Sequence, residues 1–430
     1  MNHNFKRYLI FWLSQALSQL GSAMTSFALV LWMYEQKGSA MTVSLMSFFN
    51  YVPYVIVSLF AGTFVDCHNK KKIMLASDSI AAICSAIVFL LGAGNMLMIW
   101  HIYLINFVIG CMNAFQGPAF SVAIGKIVPK EKLAQVSGMN SFSNNLVSML
   151  SPILAASLYA FAGLSCILAI DLISFICAFF VLLFVLKIPE EKIEKTKRKS
   201  AFAGCAEGFQ YLKGHTVIFT IILTMTVLNF FSRLTYENIL SPMILARSGN
   251  DTVALGMINT MMGIGGIIGG VIVSTGKIKV DCRKMIYFSA MFSFVLGDIT
   301  MGLGRNVIFW SLAGFFASVP IPFINAGQSV ILYQQVPKNI QGRIFAVKNA
   351  LQFASIPIGI LLGGFLAEYV FEPFMMSEHL MAQILHLAVG SGKGSGMAVM
   401  FLGTGMMGGL FSFVSYHRKE IRSLSQESDK

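Results

Sequence analysis

The chain has 430 residues, 56% of them hydrophobic and only 12% charged, about half the charged share of an ordinary soluble domain. That composition excludes a soluble globular enzyme, and its long unbroken apolar runs exclude a β-barrel, whose strands read as short alternating segments. The formal net charge of +12 invites a nucleic-acid reading, which the placement of the charges overturns.

Twelve apolar runs long enough to span a bilayer follow one another. They cover roughly 8–34, 43–65, 73–94, 97–121, 135–160, 165–186, 216–245, 253–275, 284–303, 307–333, 344–370 and 395–416. The first follows Lys6 and Arg7. It is too long for a signal-peptide core and no small-residue cleavage pattern follows it, so it reads as an uncleaved span. With the N-terminus inside, 26 of the 31 lysines and arginines fall in cytoplasmic segments, four fall outside, and Arg233 lies within a run. This is the positive-inside asymmetry, and it places both termini in the cytoplasm. The basic excess therefore reports topology, and its expected partner is anionic lipid at the cytoplasmic face rather than nucleic acid. The sequence reads as an all-α polytopic membrane protein with 12 transmembrane helices.

The longest polar stretch, residues 187–215 with KIPEEKIEKTKRKS, falls after the sixth run. It divides the chain into an N-terminal six-helix half (1–186), a cytoplasmic linker (187–215) and a C-terminal six-helix half with a cytoplasmic tail (216–430). The halves resemble each other. SVAIGKIVPK, from Ser121, and SVILYQQVPK, from Ser329, each join the fourth run of a half to its fifth, and at the same offset Gly62 meets Gly270. Two pseudo-symmetric six-helix repeats build transporters with the substrate path between the halves.

The second run ends in GTFVDCHNKKK, Gly62 to Lys72. A Gly, an Asp four residues on and then a basic cluster resembles the signature loop of the major facilitator superfamily. In that loop Gly, three residues, Asp, Arg, any residue, Gly and a basic pair follow in order. Here Cys67 replaces the first Arg and Asn69 the second Gly, a mild swap because Asn tolerates left-handed backbone. The resemblance implies a conformational latch of Gly62, Asp66, Lys70 and Lys71 with Gly342 and Arg343 at the start of the eleventh run. Asp66 would accept from free N–H groups at that helix N-terminus, where the dipole favours an anion. The stretch also reads as an ordinary helix end followed by topogenic lysines. In the second half the copy is worn, with Ser274 where an acid would sit.

Four further segments resemble the bacterial macrolide- and drug-efflux branch of that superfamily: FWLSQALSQLGSAMT (Phe11 to Thr25), GSAMTVS (Gly38 to Ser44), AIDLISF (Ala169 to Phe175) and VPKNIQGRIFAV (Val336 to Val347). The resemblance implies a monomeric secondary active transporter in a bacterial cytoplasmic membrane. It would export amphipathic, macrolide-like drugs or lipophilic metabolites by proton-driven alternating access. Two positions depart from the drug–proton antiporter pattern. Ile109 stands where many such proteins carry Arg, and SPILAA (Ser151 to Ala156) keeps Pro152 but not the glycines that follow it.

Polar residues inside hydrocarbon are costly and mark substrate or ion paths. The cavity candidates are Gln15, Ser18 and Ser22 in run one, Asn140 and Asn144 in run five, Asn229 and Arg233 in run seven, Asn325 and Gln328 in run ten, and Gln352 in run eleven. Helix–helix hydrogen bonding is the competing reading for each of them. Glu237, one turn past Arg233, is the first candidate for proton coupling, and a salt bridge near the outer end of run seven competes with that role. Asp171 is the second. With Asp78 and Asp298 it belongs to runs that the resemblance places in an outer ring, where local packing is the competing reading. GIGGIIGG (Gly263 to Gly270) has no strand before it and no Lys-Ser or Lys-Thr after it, so it signals close helix packing and not a phosphate loop. Seven cysteines without a CxxC pair indicate neither a disulfide framework nor zinc. No nucleophile–base constellation is present, and no cofactor is expected. Residues 371–394, too long for a simple loop, read as an interfacial helix on the outer leaflet. A dedicated exporter of a siderophore, peptide or lipid fits the same residues, as does a non-transporting membrane sensor or partner with this fold.

Overall fold

The computed structural model describes residues 3–127, 133–185, 209–274, 281–336 and 341–422, among which there is no strand. Five helices come first: α1 (His3–Lys37), α2 (Ala40–Cys67), α3 (Lys70–Ala93), α4 (Ile99–Ile127) and α5 (Leu133–Phe180), the last running into a π-helical turn at Val181–Val185. Then come α6 (Thr216–Thr235), α7 (Leu240–Ser248), α8 (Thr252–Ser274), α9 (Cys282–Phe292), α10 (Ile299–Leu303), α11 (Val307–Ser318), α12 (Ile321–Gln335), α13 (Gln341–Phe365), α14 (Glu372–Met375), α15 (Leu380–Val389) and α16 (Ser395–Tyr416). π-Helical turns join α9 to α10 at Ser293–Asp298 and α13 to α14 at Leu366–Phe371.

Ten helical stretches among the described residues are long and apolar enough to cross a bilayer, against the twelve runs expected. The difference arises at two places. Runs five and six form one continuous stretch, Ser143–Val185. It turns at Gly163, whose φ of 71° and ψ of −175° only glycine adopts readily. Run four is the helix Ile99–Ile127, which is not among the ten. Large apolar side chains stand open along these helices, Phe161 at 90% and Phe184 at 71%. A water-soluble protein hides such groups, and a hydrocarbon solvent welcomes them.

The chain divides into two compact units, Met1–Gln36 with Met46–Ala201, and Lys37–Leu45 with Phe202–Lys430. Most of the expected linker, residues 187–208, lies outside the described residues. Residues 209–214 are helical, and Leu212 is buried with Ile218, Ile222, Leu332 and Val347 in the second unit. In the first unit, Met24 and Ala28 of α1 close on Ala155 and Ile167 of α5. At its basic end Tyr8, Phe11, Ile73, Met74, Ala119 and Ala123 make an apolar layer. Since lipid tails are as apolar as these side chains, burial against a neighbour helix gains little. Close approach at small residues and buried hydrogen bonds must hold each unit together.

Asn69 does not use left-handed backbone. It lies at φ −65° and ψ 116° and caps α3, its side chain accepting from the Lys72 N–H at 3.0 Å. The swap from Gly is tolerated because Asn is a good N-cap.

The segment 371–394 holds the short helix α15. Arg305 Nη2 donates to the Leu387 carbonyl at 2.8 Å, Arg247 binds the Val389 carbonyl, and His386 meets the Met375 carbonyl at 2.8 Å. Ala382 and Val389 are buried, while Leu380, Met381, Ile384 and Leu387 stand open on the helix. Their spacing makes one apolar stripe, as an interfacial helix requires. The added fluorescence of a Leu387→Trp protein is expected to be quenched by acyl-brominated lipid and not by aqueous iodide. The reverse pattern would place α15 in water.

Candidate functional site

The first unit joins its membrane-embedded polar groups at two levels. Toward the ends away from the basic residues, Asp171, in the arm of α5 beyond Gly163, is 3% exposed. Ser22 Oγ donates to its Oδ1 at 2.9 Å, and Thr25 Oγ1 and Ser85 Oγ both donate to Oδ2 at 3.1 Å. The approach is tight, because a Cβ on Gly21 would lie 2.6 Å from Ser174 Oγ. Ser22, a cavity candidate, and Asp171, a coupling candidate, thus form one hydrogen-bonded node linking α1, α3 and α5. Thr25 and Ser85 are not among the candidates named from the sequence. The seven-residue step from Asp78 to Ser85, which puts both on one face of α3, was the available signal.

Nearer the basic end, Asp78 is buried and takes a hydrogen bond on Oδ1 from Gln116 Nε2 of α4. Gln15 brings its amide to the same carboxyl from α1, yet its Nε2 completes no hydrogen bond of ordinary geometry. Ser18 is half-buried one turn along α1. Asn140 accepts from Tyr8 Oη at 3.3 Å, and Asn144 is exposed.

In the second unit Arg233 Nη1 donates to Glu237 Oε2 across one helical turn, the two side chains being 30% and 25% exposed. The ion pair expected from the spacing is present. The Arg233 Nε is buried without a partner, and a Cβ on Gly359 of α13 would lie 3.0 Å from the Arg233 Cβ. Asn229 is half-buried and Asn325 exposed. Gln328 is 2% exposed with its Nε2 unpartnered, and the Gln352 carbonyl accepts from Ser355 Oγ at 2.7 Å. Asp298, 1% exposed, accepts from Thr404 Oγ1 at 2.8 Å. Glu368 accepts from Ser39 Oγ and from the Met41 N–H at 2.9 Å, capping the start of α2.

Of the latch residues, the side chains of Gly62, Asp66, Gly342 and Arg343 lie outside those described. Lys70 is half-buried, and Lys71 Nζ donates to the Leu183 carbonyl at 2.8 Å, holding the end of α5. Among the described residues no group of three or more His, Cys, Asp or Glu could hold a metal. Buried carboxyls and carboxamides and the half-buried Arg233 guanidinium inside an apolar bundle can bind and pass protons or charged amphiphiles.

The family model of transmembrane secretion effectors matches residues 3–391. Macrolide efflux protein A of Streptococcus pyogenes is 25% identical over 380 residues, covering 86% of this chain and 91% of its own. The multidrug efflux pump Tap of Mycolicibacterium fortuitum is 22% identical over 375 residues, covering 81% and 86%. Among solved structures, a bacterial homologue of the human lysosomal transporter Spinster in an inward-facing, unoccupied conformation superposes with a TM-score of 0.72. It is 12% identical and covers 96% of this chain and 97% of that one. An inward-facing bacterial homologue of the iron transporter ferroportin gives 0.68 at 13% identity, covering 96% and 99%. These structural likenesses establish the fold.

Proposed function

The chain belongs to the transmembrane secretion effector family of major facilitator transporters, and on that premise we propose that it exports amphipathic, macrolide-like compounds by proton-driven alternating access. The observation that carries the reading is the near full-length match to efflux proteins for macrolides and other drugs. The basic ends of the helices face the cytoplasm of a bacterium, with both termini inside and anionic lipid against the lysines. Gln15, Ser18 and Asn144 of the first half and Asn229, Asn325 and Gln352 of the second help to line the substrate path, and Asp66 acts as the cytoplasmic latch.

The Arg233–Glu237 pair supports a coupling role in the second unit. Both side chains keep partial access, so a cationic amphiphile can compete with Arg233 for the Glu237 carboxylate, and a proton can take its place when the cation leaves. The test is accumulation of a fluorescent cationic dye and of a labelled macrolide in cells making the protein, with and without a protonophore. Lowered accumulation that the protonophore abolishes is the expected result, with Glu237→Gln restoring accumulation to the level of cells without the protein. Accumulation equal to such cells for both compounds overturns the export reading.

A further inference from the structure

We propose that Asp78, bonded by the Gln116 carboxamide and with the Gln15 carboxamide beside it, is a proton-binding site of the first unit that loads and unloads during transport. The proposal rests on the export reading for its place in the cycle, and on the geometry alone for its chemistry.

The embedded acids differ in what surrounds them. Both oxygens of Asp171 are already occupied by three hydroxyl donors from α1 and α3, so a proton there would have to turn one of those hydroxyls from donor to acceptor. Glu237 is tied to a guanidinium, which can only donate. Asp78 is instead met by carboxamides from two helices. A carboxamide has a donor end and an acceptor end. Its NH2 can donate to a carboxylate. Turned over, its C=O can accept the O–H of a carboxylic acid. Both protonation states of Asp78 can therefore be hydrogen-bonded without moving a helix, which a buried polar site needs if neither state is to be prohibitive. Gln116 makes one such bond. The Gln15 amide, buried with Nε2 unpartnered, stands ready for the other. The step is a plain proton transfer: an O–H bond forms on the carboxylate and breaks when the proton leaves.

An apolar layer bounds the site on one side, and a polar stripe continues from it on the other. One turn toward the basic end on each contributing helix lie Phe11, Met74 and Ala119, all within the same buried apolar cluster. In the other direction Ser18 and Ser22 follow Gln15 along α1, and Ser85 follows Asp78 on α3, about 10 Å further by helical rise, where Ser22 and Ser85 bind Asp171. The nearest other titratable groups on the contributing helices are Tyr8 of α1, bonded to Asn140, Lys72 and the buried Cys84 of α3, and Cys111 of α4. A proton entering along this stripe meets Asp171 and the serines first, then Asp78, then the apolar layer.

The experiment uses purified full-length protein with two readouts. The first is the infrared difference spectrum between mildly acidic and mildly alkaline buffer, which reports buried carboxylic acid. The second, in proteoliposomes with the labelled macrolide, compares exchange at equilibrium with uphill transport driven by a pH gradient. Asp78→Asn is expected to lose one carboxylic band and all uphill transport while keeping exchange, and Asp78→Glu to regain uphill transport. An unchanged spectrum, or uphill transport by Asp78→Asn at the wild-type rate, overturns the proposal. Joint loss of exchange and uphill transport overturns it too, since Asp78 would then serve helix packing. Wild-type protein that shows the titrating band, absent from Asp78→Asn, but moves no macrolide leaves the proton site standing and sinks the export reading.

Discussion

Gly269→Val and Gly265→Val are expected to leave no folded protein in the membrane, whereas Gly266→Val and Gly270→Val, from the same GIGGIIGG stretch, keep it. A Cβ at residue 269 would lie 2.1 Å from the Val319 carbonyl oxygen and 3.0 Å from its carbon. At residue 265 it would lie 2.6 Å from the Phe315 carbonyl oxygen. These are backbone atoms of α11 and its end, so no rotamer change relieves the contact. The two glycines sit four residues apart on one face of α8, the spacing by which small residues let helices approach in a bilayer. Holding α11 off would empty the contact that gives this crossing its packing attraction, at a loss of about 3 kcal/mol or more. At residues 266 and 270 an added Cβ meets nothing within 4 Å. There the change trades a poor helix former for a moderate one, a gain of a few tenths of a kcal/mol. Size-exclusion profiles and thermal unfolding of the four detergent-extracted variants decide it. Four indistinguishable profiles would refute the packing account.

The contrast also shows what a sequence reveals here and what it does not. The internal repeat aligns Gly62 with Gly270, but the close approach in the second unit falls one residue earlier, at Gly269. A run of glycines announces that some face is small without saying which face has the neighbour. The long helices were legible because hydrocarbon accepts little else than continuous apolar helix, and even Gly163 shows in the gap between two apolar runs. Where two runs meet across it, sequence counts two spans while the chain stays helical on both sides. The hydrogen-bonded nodes were legible only as lists. Ser22 and Asp171 are 149 residues apart, and Ser85 and Asp171 are 86 apart. Helical periodicity aligns residues along one helix and is silent about which helix comes next to it. Glu237 lies in the turn that follows α6, four residues past Arg233, and their pairing followed from spacing alone.

At the basic end of α2, Asp66→Asn is expected to reduce transport to the level of cells without the protein while leaving expression and thermal unfolding at wild-type values. The comparison that gives this its force lies a few residues on. Asn69 is accounted for inside the first unit as the cap of α3, so Asn69→Ala should destabilise the protein by about 1 kcal/mol and spare transport. Lys71 is accounted for by the Leu183 carbonyl, so Lys71→Gln should likewise loosen the end of α5 without stopping the cycle. If Asp66 served only as a helix end beside topogenic lysines, its neutral isostere would behave like these two. A carboxylate that must repeatedly find and leave helix N–H groups behaves otherwise. The amide keeps the shape and one acceptor oxygen but loses the charge, and charge-assisted bonds to backbone N–H are roughly twice as strong as neutral ones. The loss should therefore appear in turnover and not in folding. Dye export by Asp66→Asn at the wild-type rate, with Asn69→Ala equally active, would reduce the loop to an ordinary helix boundary.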